Sequence, residues 1–158
     1  MPASMALVLT VLGVVTAAEG IGARAWGAWR APATQAARAI IVRDEGHLLF
    51  ISSSGSQLLD QGRASGTVPG SVRVEFTYDG SPAVKARFTI YGRGGSIRGQ
   101  ASGTLNNPVS PSPSFRGALS ITGGTGRYAH ARGSGEMFGV FYRRSYALTV
   151  QTIGKLRY

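Results

Sequence analysis

Apolar and polar side chains alternate with a period of two in two neighbouring stretches of the chain, SVRVEFTYD and AVKARFTIY. Such alternation is typical of β-strands with one buried face. The loop between the stretches, residues 80–82, has the odd length that lets both apolar faces lie on one side of a sheet. The pattern therefore predicts a hairpin. Its predicted facing pairs are Asp79 with Ala83, Thr77 with Lys85, Glu75 with Arg87, Arg73 with Thr89, Val74 with Phe88 and Phe76 with Ala86.

Strand-like stretches recur from residue 37 to the end of the chain, and turns that contain Gly or Pro separate them. The segment NNPVSPSPS is predicted as a loop, because its prolines cannot donate to a strand ladder. Residues 44–46 and 68–70 are predicted as further breaks. No stretch has a convincing helical period. The pattern predicts an all-β fold, a roughly eight-stranded antiparallel β-barrel over residues 37–158.

A glycine-rich turn at residues 123–126 predicts a second hairpin. Before this turn, Phe115, Leu119 and Ile121 share one face at period two. After it, one predicted face carries large side chains and the other is almost bare. The large face consists of Tyr128, His130, Arg132, Ser134 and Glu136, and the bare face of Ala129, Ala131, Gly133, Gly135 and Met137.

The same glycines fit the loose dinucleotide-binding pattern G-x-G-x-x-G/A in the stretch GTGRYA. The residues that follow, ARGSG, contain two glycines where a helix should begin, and no acidic residue lies about 20 positions further on. No Lys followed by Ser or Thr closes the glycine run, as a P-loop requires. A nucleotide site is therefore not predicted.

The stretch ITGGTGRYAHARG, from Ile121 to Gly133, resembles the signature of the dirigent and allene oxide cyclase group of small β-barrels. That signature is a hydrophobic residue followed by x-G-G-T-G-x-aromatic-x-x-A-R-G. The likeness extends more loosely over residues 46–158. The resemblance implies a barrel, commonly trimeric, that holds a reactive apolar molecule in a shaped pocket. It implies either guidance of radical coupling or cyclisation of an unstable epoxide.

The first part of the chain contains a nearly continuous apolar run, MALVLTVLGVVTAA, at residues 5–18. This run is short for a bilayer span and suits the core of a signal peptide. Small-x-small cleavage candidates follow at residues 23–25 and 31–33, and an uncleaved membrane anchor is the alternative. We predict that residues 1–33 are a signal peptide or anchor and residues 34–36 a linker. The protein is then secreted or held in the cell envelope.

The chain has 17 Lys and Arg against 7 Asp and Glu, a formal charge of +10, and no cysteine. This charge raises the question of a polyanionic partner. Most arginines are spread singly, with only Arg143 and Arg144 adjacent, so binding to nucleic acid is not favoured. With no thiolate and with two histidines far apart, neither a metal nor a cofactor is predicted.

A small barrel either fills its interior with side chains or holds one small apolar ligand. Among the few carboxylates, Asp60 lies within a predicted strand, and Glu136 shares a predicted face with Tyr128, His130 and Arg132. These two carboxylates are the candidate catalytic residues, because such a group can polarise an oxygenated substrate. Exterior charges are the alternative for Glu136 and Arg132. The candidate ligand-binding residues are Phe76, Tyr78, Phe88, Tyr128, Arg132 and Tyr142, for which core packing is the alternative.

Three functions remain open at this point. The first is an exported, dirigent-like barrel, expected to form a homo-oligomer, that binds a small hydrophobic molecule and acts on it as an isomerase or cyclase. The second is a non-catalytic structural or envelope barrel, and the third is a basic module that binds polyanions. An aromatic pocket with a carboxylate inside favours the first, a sealed core the second, and a continuous arginine stripe the third.

Overall fold

The computed structural model describes residues 38–158, so the predicted signal or anchor segment and the linker lie outside the described residues. The described chain forms eight β-strands and one short 3-10 turn, Gly126–Tyr128. It contains no helix that is long and apolar enough to cross a membrane. The strands are β1 (Ala39–Ser54), β2 (Gln57–Gly66), β3 (Gly70–Thr77), β4 (Ala83–Gly92), β5 (Gly95–Asn106), β6 (Ser114–Gly124), β7 (Arg132–Tyr142) and β8 (Ala147–Arg157).

The eight strands form one closed barrel in which every strand pairs antiparallel with its neighbours in sequence. β8 returns to β1, and their ladder runs from Ala39 opposite Arg157 to Leu49 opposite Ala147. Closure leaves no sheet edge with unpaired backbone groups, which removes the usual risk of edge-to-edge aggregation. The predicted all-β, eight-stranded antiparallel barrel is therefore confirmed for the described residues.

The predicted register between β3 and β4 is also confirmed. Glu75 faces Arg87, Val74 faces Phe88, and the other pairs from Thr77 with Lys85 to Arg73 with Thr89 match in the same way. The predicted pair of Asp79 with Ala83 is not part of the ladder, because β3 ends at Thr77 and the connection spans residues 78–82. The apolar members point into the barrel, so burial of that face and the loop length together define the register. The charged side chains lie outside, where Glu75 forms its ion pair with Arg73 on the same strand, 3.0 Å apart, and not with Arg87.

The predicted break at residues 44–46 is wrong, because these residues lie within β1, which is continuous from Ala39 to Ser54. Asp44 pairs across the ladder with Gly66, and Gly46 with Ala64. The sequence Asp-Glu-Gly resembles a turn, but long-range pairing on both sides of β1 keeps it extended.

The predicted four-residue turn at residues 123–126 is also wrong. β6 continues to Gly124, with an irregularity in its pairing to β5, and the connection to β7 spans residues 125–131. This longer connection contains the 3-10 turn, so Tyr128 precedes β7 and does not lie on it. Gly126 has the positive φ that the turn requires, +57°.

One end of the barrel, which we call the closed end, is filled by side chains. Connections 67–69, 93–94 and 125–131 meet there, and the chain enters β1 and leaves β8 at the same end. A buried apolar cluster seals it, and Tyr158 packs on that cluster with its ring centroid 4.9 Å from that of Tyr128. The buried members of the cluster are Val68, Ile97, Tyr128, Ala131 and Leu156.

The opposite end, which we call the mouth, is formed by connections 55–56, 78–82, 107–113 and 143–146. Inward-facing side chains there, such as Leu58, Phe76 and Leu105, are only half-buried. A second buried cluster, Leu48, Val72 and Leu148, lies further inside. The interior is therefore packed at one end and accessible from the other.

Candidate functional site

A cavity of about 250 Å³ occupies the barrel between the closed end and the mouth. Its walls are almost wholly apolar, built from Val, Leu, Ile, Phe and Ala side chains that alternate inward along the strands. Every strand contributes to the lining. Representative residues are Val42, Leu48, Leu58, Val74, Phe88, Ala101, Phe115, Leu119, Met137, Phe141 and Val150.

Glycines on the inner faces of β5 and β7 make room for the large rings of neighbouring strands. A Cβ on Gly99 would lie 2.5 Å from the Phe88 ring, and one on Gly139 would overlap the ring of Phe115. Real Cβ atoms do not approach other atoms so closely, so these rings lie directly against bare backbone. The bare face predicted from Gly133 and Gly135 is thus an interior wall against which side chains from other strands can lie.

Asp60 is a charged residue that is buried inside the barrel, with 1% of its surface exposed. It stands on the inner face of β2, opposite Phe50 on β1 and opposite Val74 on β3, whose side chain lines the cavity. Its Oδ2 atom has no hydrogen-bond partner within residues 38–158. Burial raises the pKa of Asp60 to about 6, because the charged form loses its hydration.

Asp44 is a second inward-facing carboxylate, and unlike Asp60 it forms a hydrogen bond that gives it a structural role. Its Oδ1 accepts a hydrogen bond of 2.8 Å from the backbone N–H of Val68, in the connection between β2 and β3. Burial raises the pKa of Asp44, while this hydrogen bond and one from Thr67 oppose the rise. Asp44 therefore holds a closing loop in place, although its side chain also reaches the cavity wall.

At the mouth, Arg143 binds the proline-rich connection 107–113. Its Nε donates to the carbonyl of Ser110 at 3.0 Å, and a second guanidinium nitrogen donates to the carbonyl of Pro108. Its backbone N–H donates to Pro111 at 3.0 Å, and Pro113 is fully buried. Because Arg143 and Pro113 both line the cavity, this connection forms part of the rim of the mouth.

The predicted ligand-binding residues fall into three groups. Phe76, Tyr78 and Phe88 line the cavity, on the inner faces of β3 and β4 and in the connection between them. Tyr128 is buried in the closed end, where it belongs to the sealing cluster. Arg132 and Tyr142 point outward from the two ends of β7 and are exposed.

The two candidate catalytic carboxylates do not meet. Asp60 faces the interior, whereas Glu136 lies on the outer face of β7 and forms an ion pair of 3.2 Å with Arg116. The predicted grouping of Glu136 with Tyr128 and His130 fails, because the 3-10 turn removes those two residues from the strand. The exterior-charge alternative holds for Glu136 and Arg132, though they do not pair with each other in the described chain.

Sequence reasoning missed two charged residues of the cavity wall, Asp44 and Arg143. The position of Asp44, two residues after Val42 in an alternating run, predicts an inward-facing side chain. Gly46 concealed this signal, because it suggested a turn. Arg143 gives no local signal, because its partners lie 33 and 35 positions earlier in the chain. Within residues 38–158, no three His, Asp or Glu side chains group as metal ligands would.

No family model matches the chain, and comparisons with curated proteins and with solved structures find no significant match. The resemblance of residues 121–133 to the dirigent and allene oxide cyclase phrase therefore stays a prediction. The closed barrel with an apolar cavity rests on the geometry alone.

Proposed function

We propose that this barrel binds one small, mainly apolar molecule in its interior, taken up through the mouth. The observation that carries the proposal is the apolar cavity of about 250 Å³. An apolar cavity of about 150 Å³ can hold benzene, and ligand pockets usually span about 300–1,000 Å³. The ligand is therefore the size of roughly one or two small rings or a short acyl chain.

Asp60 is a buried carboxyl beside this proposed site, opposite Val74 of the cavity wall. A buried carboxyl without a partner on Oδ2 can accept a hydrogen bond from a ligand hydroxyl, or donate one when it is protonated. Its pKa of about 6 lets it exchange a proton near neutral pH. The isomerase or cyclase activity implied by the sequence resemblance is proposed for this residue, and Glu136 is not included because it lies outside the barrel.

Ligand binding can be tested by filling the cavity. Ala101 lines the cavity on β5, and Ala118 lies exposed on the outer face of β6. We expect Ala101→Phe to weaken binding of a neutral fluorescent two-ring probe, 2-naphthol, at least tenfold, while Ala118→Phe leaves binding unchanged. Native mass spectrometry of protein from its own host should show a retained small molecule.

The control for this test is the fold of each variant, followed by circular dichroism. If Ala101→Phe does not fold, Ala86→Phe fills the same wall from β4. Equal probe binding by the filled and unfilled proteins would contradict the proposal. Such a result would favour the alternative of a non-catalytic structural barrel.

Self-association is proposed as well, with the trimer implied by the resemblance as the expected state. Outward-facing apolar side chains support it, since Leu49 and Tyr142 both flank Ala147 in one row across β1, β8 and β7, and both are exposed. Burial of such a row favours association. Sedimentation velocity at micromolar concentration should show more than a monomer, and Leu49→Asp should shift the distribution towards monomer.

A further inference from the structure

The outer surface of the closed end carries a concentration of positive charge that the proposed ligand site does not use. Three carboxylates of the described chain lie away from this charge. Asp44 and Asp60 are inside the barrel, and Asp79 lies in a connection of the mouth. We call the exposed cations of the closed end the basic surface: Arg38, Arg43, Arg93, Arg98, Arg127, Arg132, Lys155 and Arg157.

Glu45 and Glu136 border the basic surface, because Glu45 lies two positions after Arg43 on β1 and Glu136 stands opposite Ile153, but each is paired with a residue outside it. Glu45 contacts His47 at 3.1 Å, Glu75 contacts Arg73, and Glu136 contacts Arg116. No ion pair within the described chain includes a member of the basic surface. Its charge is therefore available to an external anion.

Three arginines of the basic surface form a row across adjacent strands. Arg132 on β7 stands directly opposite Arg157 on β8. On the other side, Arg98 and Arg132 converge over Gly123, where a Cβ would lie 3.5 Å from a guanidinium nitrogen of each. Like charges placed directly opposite each other destabilise a sheet, and a bound anion offsets that cost.

Exposed apolar side chains lie among these cations. Ile41 is 64% exposed and stands opposite Lys155, and Ile153 is 43% exposed and stands opposite Arg43. Tyr91 on β4 is exposed near the same end. Cations that contact phosphates beside apolar and aromatic side chains that enter the headgroup region are typical of surfaces that bind anionic membranes.

Single-stranded nucleic acid fits this surface less well, because it needs free aromatic rings on which bases stack. Tyr91 offers an exposed ring, but the rings of Tyr128 and Tyr158 are covered by the Arg127 guanidinium, which lies 4.7 Å and 5.5 Å from their centroids. Aliphatic side chains such as Ile41 and Ile153 offer no stacking face.

We propose that the basic surface docks the barrel on the anionic phospholipid headgroups of a membrane. Docking through the closed end leaves the mouth accessible. The chain enters β1 at the docked end, and the predicted apolar signal or anchor run precedes it in the sequence. This proposal does not depend on the cavity having a ligand.

The test uses the full chain and sedimentation with vesicles of phosphatidylcholine alone or mixed with phosphatidylglycerol. Binding to the mixed vesicles should exceed binding to neutral ones and should fall as salt is added. The triple variant Arg98→Gln, Arg132→Gln and Arg157→Gln should lower the partition coefficient on mixed vesicles about 100-fold. It should fold at least as stably as the parent, because it removes a like-charge pair.

A matched control removes the same charge from elsewhere on the exterior. It combines Lys85→Gln, Arg87→Gln and Arg144→Gln, three exposed residues on the mouth half of the barrel and outside the basic surface. Equal losses in both triple variants would overturn the proposal, since net charge alone would then explain binding. Equal binding to neutral and mixed vesicles would also overturn it, and would assign binding to the apolar N-terminal run.

Competition decides between a membrane and a nucleic acid. A single-stranded oligonucleotide that binds more tightly than the mixed vesicles, and loses binding in the first triple variant, would replace the membrane proposal. If the triple variant does not fold, Arg98→Gln alone tests the surface, with an expected loss of about fivefold on mixed vesicles.

Discussion

The closed end and the mouth are built from the same eight strands, yet they differ in how the interior is filled. At the closed end, Ile97, Ala131 and Leu156 are almost fully buried, and a 3-10 turn adds Tyr128 to the seal. At the mouth, apolar side chains such as Leu58 and Leu105 remain half-exposed around a cavity. We therefore expect the closed end to contribute more to the free energy of unfolding than the mouth, where looser packing leaves the cavity accessible.

The largest expected effect is the loss of a buried side chain at the closed end. Ile97→Ala should lower the free energy of unfolding by about 2–5 kcal/mol, since it removes buried methyl groups and leaves a void. Leu105→Ala at the mouth should cost less than about 2 kcal/mol, because its side chain already borders solvent and the cavity. Urea denaturation of both variants measures the contrast. Equal losses would mean that the two ends are packed alike.

The next effect concerns the charge buried near the cavity. A pKa of about 6 in the folded protein, against 3.8 for an ordinary Asp, means that the folded state holds the Asp60 proton more tightly. Stability should therefore fall as pH rises from about 4 to about 6, by about 3 kcal/mol, and stay lower above that range.

Asp60→Asn should remove most of this pH dependence and stabilise the protein at pH 8. Glu75→Gln on the outer surface is the control and should leave the dependence intact. Urea denaturation at pH 4, 6 and 8 measures it. A parent protein whose stability is flat over this range would show that Asp60 is not buried as described.

A smaller effect is expected where a carboxylate holds the closed end together. Asp44→Ala leaves the Val68 N–H without its acceptor and should cost about 1–2 kcal/mol. Asp44→Asn keeps an acceptor oxygen and should cost less. Hydrogen exchange should speed up at Val68 in the Ala variant. If the exchange there is unchanged, the hydrogen bond does not hold the loop.

The smallest effect on stability is expected at the rim of the mouth. Arg143→Ala removes the side-chain hydrogen bonds to Ser110 and Pro108, and because they are exposed the free energy of unfolding should change by less than about 1 kcal/mol. Dissociation of the cavity probe should nevertheless become several-fold faster, since the connection 107–113 borders the entrance. Arg144→Ala is the matched control. An unchanged rate in the Arg143 variant would show that this connection does not limit exit.

Much of the fold could be predicted because it depends on local patterns. Alternation along β3 and β4, with an odd loop, was enough for the register of that hairpin. The prolines of 107–113 likewise excluded that segment from a strand. The site was predicted only in part. Asp60 was correctly predicted to be a candidate inside a strand. Glu136 was grouped with Tyr128 and His130, which lie in the connection before β7 and not on that strand.

The grouping of Glu136 failed for a physical reason. The inner face of β7 carries Gly133, Gly135 and Gly139, so the side chains that cover it belong to other strands, as the Phe115 ring does at Gly139. In β7 the larger side chains therefore lie on the outer face and the glycines on the inner face, the reverse of the usual amphipathic pattern. Nothing within β7 itself distinguishes this arrangement from a buried polar face.

The sequence by itself determined that the fold is all-β with roughly eight antiparallel strands, and which side chains share a face along β3 and β4, because these properties depend on period two and on turn residues. Only the tertiary structure decided which face points inward, which end is sealed, and that Asp44 is held by Val68, 24 positions away. These properties arise when β8 pairs with β1 and the barrel closes. Closure depends on pairing between strands that are far apart in the sequence, and the alternation along a single strand does not encode it.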